Sequence, residues 1–456
     1  MVTSTGSFWW GVSTSAFQIE GTSADAPRGE SVWDEFCRRP GAIADGSDAG
    51  VATDHVHRLE EDVALVADLG VDVYRFSIAW PRVQPTGSGP ASAIGLELYD
   101  RLVDALLAAG VEPLPTLFHW DTPLELEASG GWLSRDTAQR FADYAEIVAD
   151  RLGDRVGHWI TINEPREVTM LGYALGTHAP GRQLLFDALP AAHHQLLGHG
   201  LAVQALRAAG ASSVGVALSH EPVVPVGEDA ADREAAELYD LLNNRLFADP
   251  LLLGSYPDGF ADLMPGPVAT DLSVIGTPLD WYGVNYYSPA FVGAPQGSGR
   301  TVNGIVMPDG LPFAVHDAPL GSAAERTDTG WVVAPTGLTE LLLTLRERYG
   351  PALPPVVVTE NGCSYDDPMV DGAIDDVRRV DFLREHLLAL ADAQDAGIDV
   401  RGYFVWTLLD NFEWAEGYRQ KFGLVHVDRS TLERTPRASY DWYAHHVRSS
   451  RRETGS

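Results

Sequence analysis

The chain is poor in cysteine, in lysine and in long hydrophobic runs, and each shortage excludes a class of protein. Two cysteines, Cys37 and Cys363, occur in 456 residues and form no Cys-x-x-Cys pair. They cannot build a disulfide framework, so we expect both thiols to be reduced and structural. Lys421 is the single lysine, and an enzyme that works through a lysine Schiff base would have to use it.

Long apolar segments are also missing. No stretch approaches the roughly 18 to 20 consecutive apolar residues of a membrane span, and residues Met1 to Trp10 lack the basic start and apolar core of a signal peptide. Positive charge is scarce as well, since the formal net charge is −32 at pH 7, and such a field repels phosphate groups. We therefore expect a soluble cytoplasmic protein without a membrane or nucleic-acid partner, and self-association into a homo-oligomer stays open.

The chain does contain a regular alternation of short apolar runs and amphipathic stretches. Its composition, 45% hydrophobic and 21% charged, is ordinary for a globular protein and suits one large α/β domain or two to three smaller ones. The apolar runs predict eight strands, at Phe8–Gly11, Val73–Ser77, Glu112–Phe118, His158–Ile162, Val214–Leu218, Trp281–Asn285, Val356–Thr359 and Gly402–Trp406. The amphipathic stretches predict helices at Leu59–Leu69, Gly95–Ala109, Thr137–Leu152, His193–Ala209, Gly337–Tyr349 and Val377–Ala396.

Strands that alternate with helices indicate βαβ units, and eight of them predict an α/β fold, a single (β/α)₈ TIM barrel with long βα loops. The alternative is an open doubly wound sheet, but no Gly-x-Gly-x-x-Gly follows the first strand. We assign residues 1–448 to the barrel and 449–456 to a disordered C-terminal tail. Three stretches rich in Gly, Pro and Asp predict long loops at Ala24–Gly50, Gly293–Arg326 and Tyr365–Asp376.

Two short motifs place a glutamate at the end of a β-branched run. One is Thr161-Ile162-Asn163-Glu164-Pro165 and the other is Thr359-Glu360-Asn361-Gly362. A glutamate in such a buried position is costly unless it has a use. The pair predicts two carboxyl groups in one pocket, which is the minimum equipment for cleaving a glycosidic bond.

Polar and aromatic residues lie within, at the end of or just after most of the predicted strands. In a (β/α)₈ barrel the carboxyl ends of the strands meet at one face, where active sites lie. The residues in these positions suit the binding of a polyol: Gln18, Arg75, His119, Trp120, Asn163, Glu164, Asn285, Tyr287, Glu360, Trp406, Glu413 and Trp414.

The motifs that carry these residues resemble those of glycoside hydrolase family 1, the β-glucosidase family, from Phe8 to about Tyr443. No single motif is specific, but their order along the chain is. They are Phe8-Trp9-Trp10-Gly11 to Gln18-Ile19-Glu20-Gly21, Tyr74 to Arg82, His119-Trp120-Asp121, Thr161 to Pro165, Asn285-Tyr286-Tyr287, Thr359 to Gly362 and Trp406 to Trp414.

The resemblance implies a retaining β-glucosidase in which Glu360 is the nucleophile and Glu164 the acid/base, with the carboxyl groups roughly 5 to 5.5 Å apart. Arg75 is similar to the arginine that faces the nucleophile, and a guanidinium favours the ionised carboxylate. Tyr287 can hydrogen-bond the same group. Asn285 belongs to the same catalytic set.

The resemblance also implies a substrate site for a small-molecule β-glycoside. Gln18, His119, Trp120, Asn163, Trp406, Glu413 and Trp414 match the sugar site, and Trp331 matches the tryptophan that stacks on the leaving group. A carboxylate at Glu413 would repel a phosphate, so we expect unphosphorylated β-D-glucosides, with side activity on β-galactosides and β-fucosides. No cofactor and no metal are expected.

Three questions stay open. Arg166 departs from the tryptophan usual after Asn-Glu-Pro, and it either brings a cation to the leaving-group side or forms a local ion pair. A transglycosylating β-glycosidase would differ only in the acceptor of the intermediate. A metal-dependent barrel hydrolase is the other alternative, because His55 and His57 form a His-x-His pair, although the pair precedes a helix rather than ending a strand.

Overall fold

A closed barrel of eight parallel strands forms the centre of the protein. The computed structural model describes residues 8–295, 301–302, 305–306, 310–317 and 324–454. Within these residues the barrel strands are β1 Trp9–Ser13, β2 Val73–Ser77, β3 Glu112–Phe118, β4 His158–Asn163, β5 Ser213–Ser219, β6 Trp281–Asn285, β7 Val356–Asn361 and β8 Val400–Trp406. Each strand pairs with its neighbours in chain order, and β1 closes the barrel against β8. The predicted fold class is therefore confirmed.

Helices surround the barrel and connect its strands. The larger ones are α1 His55–Leu69, α2 Ala93–Ala108, α3 Arg135–Leu152, α4 Leu189–Ala208, α5 Ala230–Asp240, α6 Leu246–Leu252, α7 Val268–Ile275, α8 Pro335–Tyr349, α9 Val377–Asp395 and α10 Ala438–Thr454. Short helices lie in the loops, at Ala16–Ile19, Val32–Cys37, Trp80–Val83, Leu124–Ala128 and Pro165–Glu167, and π-helical turns lie at Val168–Leu175 and Leu241–Arg245. No helix in this described part of the chain has the length and hydrophobicity that crossing a bilayer requires.

The helix α3 shows why these segments adopt their structure. Phe141, Ala145, Val148 and Leu152 recur every three to four residues and are all buried, so they form one apolar stripe. That stripe packs against α4. Burying each of the larger side chains contributes about 1.5 to 3 kcal/mol, so packing on the neighbouring helix, rather than intrinsic propensity, stabilises this segment.

The amino-terminal end of the barrel is filled by a small apolar cluster that contains Phe404 and Trp281. Glycines make room for the two rings. A Cβ atom on Gly11 would lie 2.2 Å from the Phe404 ring, and one on Gly215 would lie 2.5 Å from the Trp281 indole. The base of the barrel is thus a packed core, and the open space lies at the carboxyl ends of the strands.

The structure differs from the sequence prediction at several segment ends. Strand β4 extends to Asn163 and β7 to Asn361, so Glu360 lies inside its strand. Helices α5, α6, α7 and α10 were not predicted, and α10 continues past Ser449, the predicted start of the tail, to Thr454. Ser449 and Ser450 are half-buried and Arg451 is exposed, and such polar residues are also typical of a tail. Residues 455–456 lie outside the described residues.

The three predicted loops contain short regular elements. Ala24–Gly50 includes the helix Val32–Cys37, and Tyr365–Asp376 includes a ribbon of two strands, Met369–Val370 and Ala373–Ile374. The helix begins at Ser31, which caps it by accepting a hydrogen bond from the Asp34 amide. Part of Gly293–Arg326 lies outside the described residues.

Candidate active site

Glu164 and Glu360 lie at the carboxyl ends of β4 and β7 in one cavity of about 1000 Å³. Both are buried, with exposed fractions of 6% and 3%. Glu164 has a φ of 47°, and the neighbouring Trp120 and Trp414 have φ values of 76° and 48°. Residues other than glycine rarely adopt this left-handed backbone conformation, and the strain that it causes is found most often at functional sites.

Glu360 is held by an arginine and a tyrosine. Arg75, itself buried in β2, donates from Nη1 to Glu360 Oε1 at 2.6 Å, and the Tyr287 hydroxyl donates to Oε2 at 2.7 Å. The remaining nitrogens of Arg75 bond the Thr116 hydroxyl and Asn163 Oδ1. The guanidinium therefore has one fixed orientation, with its positive charge directed at Glu360.

Glu164 is held by two amides instead. Asn285 Nδ2 donates to Glu164 Oε1 at 2.9 Å, and Asn163 Nδ2 donates to Oε2 at 3.3 Å. Arg75 has only donors, so the atom of Asn163 that it contacts must be the carbonyl oxygen, and the amide nitrogen must then face Glu164. The chain of contacts from Glu360 through Arg75 and Asn163 to Glu164 fixes the two carboxyl groups relative to each other.

The two glutamates differ in how readily they ionise. Burial raises the pKa of Glu164 well above its usual range, and the nearby Glu360 and Glu167 raise it further. Burial also raises the pKa of Glu360, but the Arg75 guanidinium and the Tyr287 hydroxyl oppose that rise. As the pH increases, the pair therefore loses its first proton mainly from Glu360 and keeps the second on Glu164.

His119 is uncharged in this cavity. Burial and the Arg75 guanidinium lower its pKa well below the usual range. Its Nε2 lies 3.1 Å from Asn163 Nδ2, which can only donate, so Nε2 accepts and the ring hydrogen is on Nδ1. A neutral ring adds no positive charge beside Asn163.

Aromatic rings form one wall of the cavity. The ring of His119 lies nearly parallel to those of Trp406 and Trp414, at interplanar angles of 24° and 18°. Trp120 packs against Trp414 with centroids 4.5 Å apart and donates from its indole nitrogen to the Asn163 carbonyl. This wall presents the flat apolar surface that suits the C–H face of a sugar.

Gln18 and Glu413 form the polar end of the same wall. Gln18 Nε2 lies 3.2 Å from Glu413 Oε2 and also donates to Asn411 Oδ1 and the Phe412 carbonyl. Burial and the nearby Glu360 raise the pKa of Glu413 to about 8. Glu413 is therefore largely protonated at neutral pH, whereas the expected repulsion of phosphate required it to be an anion.

Trp331 packs beside Tyr287, the residue that donates to Glu360. Its ring centroid is 5.2 Å from that of Tyr287 and 6.0 Å from that of Phe422. All three residues line the cavity. Ten of the thirteen nominated residues line this cavity, whereas Gln18, Arg75 and Asn163 lie behind it and bond Glu413, Glu360 and Glu164. Phe422 also lines the cavity, and no sequence motif indicated it.

Arg166 also lines the cavity, two residues beyond Glu164. It forms ion pairs with Glu167 and with Glu221, and Glu221 also accepts from the Tyr239 hydroxyl. The ion-pair interpretation of Arg166 is therefore confirmed, and the same side chain lines the cavity. Glu221 lies two residues beyond the end of β5, which was a usable sequence signal, whereas Tyr239 lies on α5 and had none.

His55 and His57 bond different carboxylates. His55 Nδ1 lies 2.7 Å from Asp62 Oδ2, and Asp62 is paired in turn with Arg434. His57 Nδ1 lies 2.5 Å from Asp54 Oδ1. The two rings lie at the start of α1, and each is held by a separate acid, as expected for capping and packing.

Asp121 is a buried carboxyl group without a hydrogen-bond partner among the described residues. Burial raises its pKa to about 8, so between pH 4 and pH 8 the folded protein binds a proton that the unfolded chain releases. Stability conferred by this position must therefore fall as the pH rises through that range.

We expect Asp121→Asn, which resembles the protonated acid in shape, to stabilise the protein increasingly from pH 5 to pH 8. At about 1.4 kcal/mol per unit of pKa difference, the gain at pH 7 is on the order of 2 to 4 kcal/mol. Urea unfolding at the two pH values measures it, with the exposed Asp258→Asn as the control. If Asp121→Asn changed the free energy of unfolding equally at pH 5 and at pH 8, Asp121 would not be a buried, protonated acid.

The sequence and fold resemble known proteins along nearly their whole length. The family model described as Glycosyl hydrolase family 1 matches residues 3–452. The chain is 43% identical over 445 residues to a beta-glucosidase of Agrobacterium sp., covering 96% of this chain and 94% of that protein. It is 41% identical over 460 residues to a bifunctional beta-D-glucosidase/beta-D-fucosidase of Bifidobacterium breve, covering 96% of each. The crystal structure of a psychrophilic beta-glucosidase from Micrococcus antarcticus superposes with a TM-score of 0.91, at 44% identity and 97% coverage of each chain.

Proposed function

The chain belongs to glycosyl hydrolase family 1, and we propose that this retaining β-glucosidase removes terminal β-D-glucosyl residues through the carboxyl pair Glu360 and Glu164. The observation that carries the assignment of roles is the difference between their surroundings. Arg75 and Tyr287 favour the ionised form of Glu360, whereas burial and a neighbouring carboxylate keep Glu164 protonated. A nucleophile and an acid require these two states.

In the first step the Glu360 carboxylate attacks the anomeric carbon. A new C–O bond forms on the α face as the bond to the leaving oxygen breaks, and the proton of Glu164 passes to that oxygen. The aglycone departs as a neutral alcohol or phenol, and an α-linked glucosyl ester on Glu360 remains. Glu164 is left ionised.

In the second step the ionised Glu164 takes a proton from water, which attacks the same carbon from the β face. The ester bond to Glu360 breaks, and its carboxylate is restored with the charge that Arg75 stabilises. The product is β-D-glucose, and the two protonation states return to their starting values. Two displacements at one carbon retain its configuration.

The amide of Asn163 supports both steps. It bonds Arg75 and Glu164, and in this mechanism it also bonds the sugar 2-hydroxyl, a contact that strengthens in oxocarbenium-like transition states. The fixed guanidinium of Arg75 needs no reorganisation when charge shifts between Glu360 and the sugar. Such preorganised groups contribute much of an enzyme's rate enhancement.

The preferred sugar is an unphosphorylated β-D-glucoside. The polar end formed by Gln18 and Glu413 offers donors and acceptors to free hydroxyl groups, and the ammonium of Lys421 is directed to the Tyr418 carbonyl instead. Because Glu413 is largely protonated at neutral pH, this preference rests on hydrogen bonds more than on repulsion of phosphate. Side activity on β-galactosides and β-D-fucosides follows, because few contacts change. A galactoside differs from a glucoside in the orientation of the 4-hydroxyl, and a D-fucoside also lacks the 6-hydroxyl.

A panel of nitrophenyl glycosides tests the function, with the first product anomer followed by NMR. We expect the β-D-glucoside to be hydrolysed best and to release the β-anomer first. An α-anomer as first product would overturn retention. Adding an alcohol acceptor to the same reaction measures transglycosylation, which differs only in the group that attacks the intermediate. The metal-dependent alternative is not favoured by the resemblance to β-glucosidases.

Tyr287→Phe is expected to move the acidic limb of the kcat/KM profile to higher pH. Burial raises the pKa of Glu360 and the Tyr287 hydroxyl opposes that rise, so its loss delays ionisation of the nucleophile. A hydrogen bond to a charged group contributes about 1.5 to 3 kcal/mol, which corresponds to a rate loss of about 10- to 100-fold.

The matched control is Tyr286→Phe, which removes a neighbouring hydroxyl that donates to the Ala334 carbonyl and does not contact Glu360. Its pH profile should coincide with that of the unaltered enzyme. A Tyr287→Phe profile with an unmoved acidic limb would show that the hydroxyl does not control ionisation of Glu360.

A further inference from the structure

An ion network lines the cavity close to Glu164, which protonates the leaving oxygen in the proposed mechanism. Arg166, Glu167 and Glu221 come from the ends of β4 and β5 and line the same cavity as the catalytic pair. Arg166 Nε donates to Glu167 Oε1 at 2.8 Å, and its Nη1 donates to Glu221 Oε2 at 2.6 Å. The Tyr239 hydroxyl donates to Glu221 Oε2 at 2.8 Å.

The network reverses the charge that Arg166 alone would bring. One guanidinium faces two carboxylates, so the formal sum is −1. The side chains of Arg166 and Glu167 are 12% exposed and that of Glu221 is 26% exposed. No described residue hydrogen-bonds Glu167 Oε2 or Glu221 Oε1, so the second oxygen of each carboxylate is left to accept from a donor. The surface is therefore anionic and accepts hydrogen bonds.

Other charged groups at the mouth of the cavity do not cancel this charge. Arg39 is paired with Glu35, and Arg419 lies 3.9 Å from Glu416. Burial lowers the pKa of His220 to about 4, so its ring is uncharged near neutral pH.

We propose that the network of Arg166, Glu167 and Glu221 selects the leaving group by charge. It accepts neutral and cationic aglycones that carry hydrogen-bond donors and rejects aglycones that carry an anion, such as a carboxylate. The proposal rests on the assigned β-glucosidase activity and names the chemical class of leaving group for that site. A unit charge within about 5 Å of the network changes kcat/KM by about 10- to 100-fold, an effect that salt weakens.

Three phenyl β-D-glucosides of nearly equal size test the proposal. They carry a carbamoyl, a carboxylate or an aminomethyl group at the 4-position, and so are neutral, anionic and cationic. We expect kcat/KM to be about 10- to 100-fold lower for the anionic substrate than for the neutral one. The cationic substrate should be hydrolysed at least as well as the neutral one. Raising the ionic strength should reduce the difference in kcat/KM between the anionic and the neutral substrate.

Glu221→Gln supplies the internal comparison, because intrinsic differences between the phenols cancel when each substrate is compared across enzymes. Removing one carboxylate brings the formal charge of the network to zero, so the penalty on the anionic substrate should shrink about 3- to 10-fold. The control is Glu347→Gln, an exposed acid on α8 outside the cavity, which should leave all three rates unchanged. Unfolding curves verify that both variants are folded.

The outcomes separate this proposal from the assigned activity. No hydrolysis of 4-nitrophenyl β-D-glucoside would overturn the activity itself. Two results would overturn selection by charge and leave the assigned activity intact. One is hydrolysis of the neutral and anionic glucosides at similar rates, and the other is a Glu221→Gln variant with the same ratio of kcat/KM for these two substrates as the unaltered enzyme. A faster anionic substrate would show that Arg166 acts as a cation toward the leaving group despite its partners.

Discussion

Glu360→Ala is expected to lower hydrolysis of every β-glucoside by on the order of 10⁵-fold or more, since no glucosyl ester can form. The loss should be the same for good and poor leaving groups, because the missing nucleophile is needed in both cases. The acid Glu164 and the residues that bind sugar remain. Stopped assays with 4-nitrophenyl β-D-glucoside measure the effect, and Glu360→Gln is the variant of matched size.

Azide provides a sharper readout of the same variant. The small anion can enter the space that the carboxylate leaves and attack the anomeric carbon from the α face, while Glu164 protonates the leaving oxygen. The product is then α-D-glucosyl azide, identified by NMR. Formation of the β-azide by Glu360→Ala would assign the nucleophile to another residue.

Glu164→Ala should have an effect that depends on the leaving group. General acid catalysis contributes about 10²- to 10⁴-fold, and we expect a loss of this size for alkyl glucosides, whose oxygen must be protonated to depart. A dinitrophenyl leaving group departs without a proton, so formation of the ester on Glu360 should be much less affected. Steady-state rates and the initial burst of released phenol separate the two steps.

The second step of Glu164→Ala should then be slow, because no base removes the proton of water. Azide needs no base, so it should restore turnover and yield β-D-glucosyl azide. Equal losses on dinitrophenyl and alkyl glucosides would show that Glu164 is not the acid. Glu164→Gln is the comparison of matched size, since it cannot donate a carboxyl proton and its single carbonyl oxygen can keep one of the two contacts from Asn285 and Asn163.

The barrel and its catalytic pair could be predicted from the sequence because both depend on local patterns. Strands β2, β3 and β6 begin and end where the apolar runs predicted, and Glu164 and Glu360 directly follow or end such runs. The helices between β5 and β6 were missed. Their boundaries depend on packing in a long connection and on a π-helical turn at Leu241–Arg245, which no simple period describes.

The substrate wall was partly predictable. Trp406, Trp414 and Gln18 could be nominated because each ends or follows a strand. Phe422 and Tyr239 could not be nominated, since they reach the cavity from elsewhere in the fold. The net charge of the network around Arg166 could not be predicted from the sequence either. Glu221 lies 55 residues away in sequence, and only the adjacency of β4 and β5 brings it to the guanidinium.

The sequence by itself determined the alternation of strands and helices, the pairing of two glutamates at strand ends and the polar residues around them. Periodicity and short motifs carry that information locally. The tertiary structure decided which glutamate ionises first, that Glu413 keeps a proton with a pKa of about 8, and that Arg166 belongs to an anionic surface. A pKa depends on burial and on charges a few ångströms away. Arg75 and Glu360, 285 residues apart along the chain, are brought to that distance only when the barrel closes.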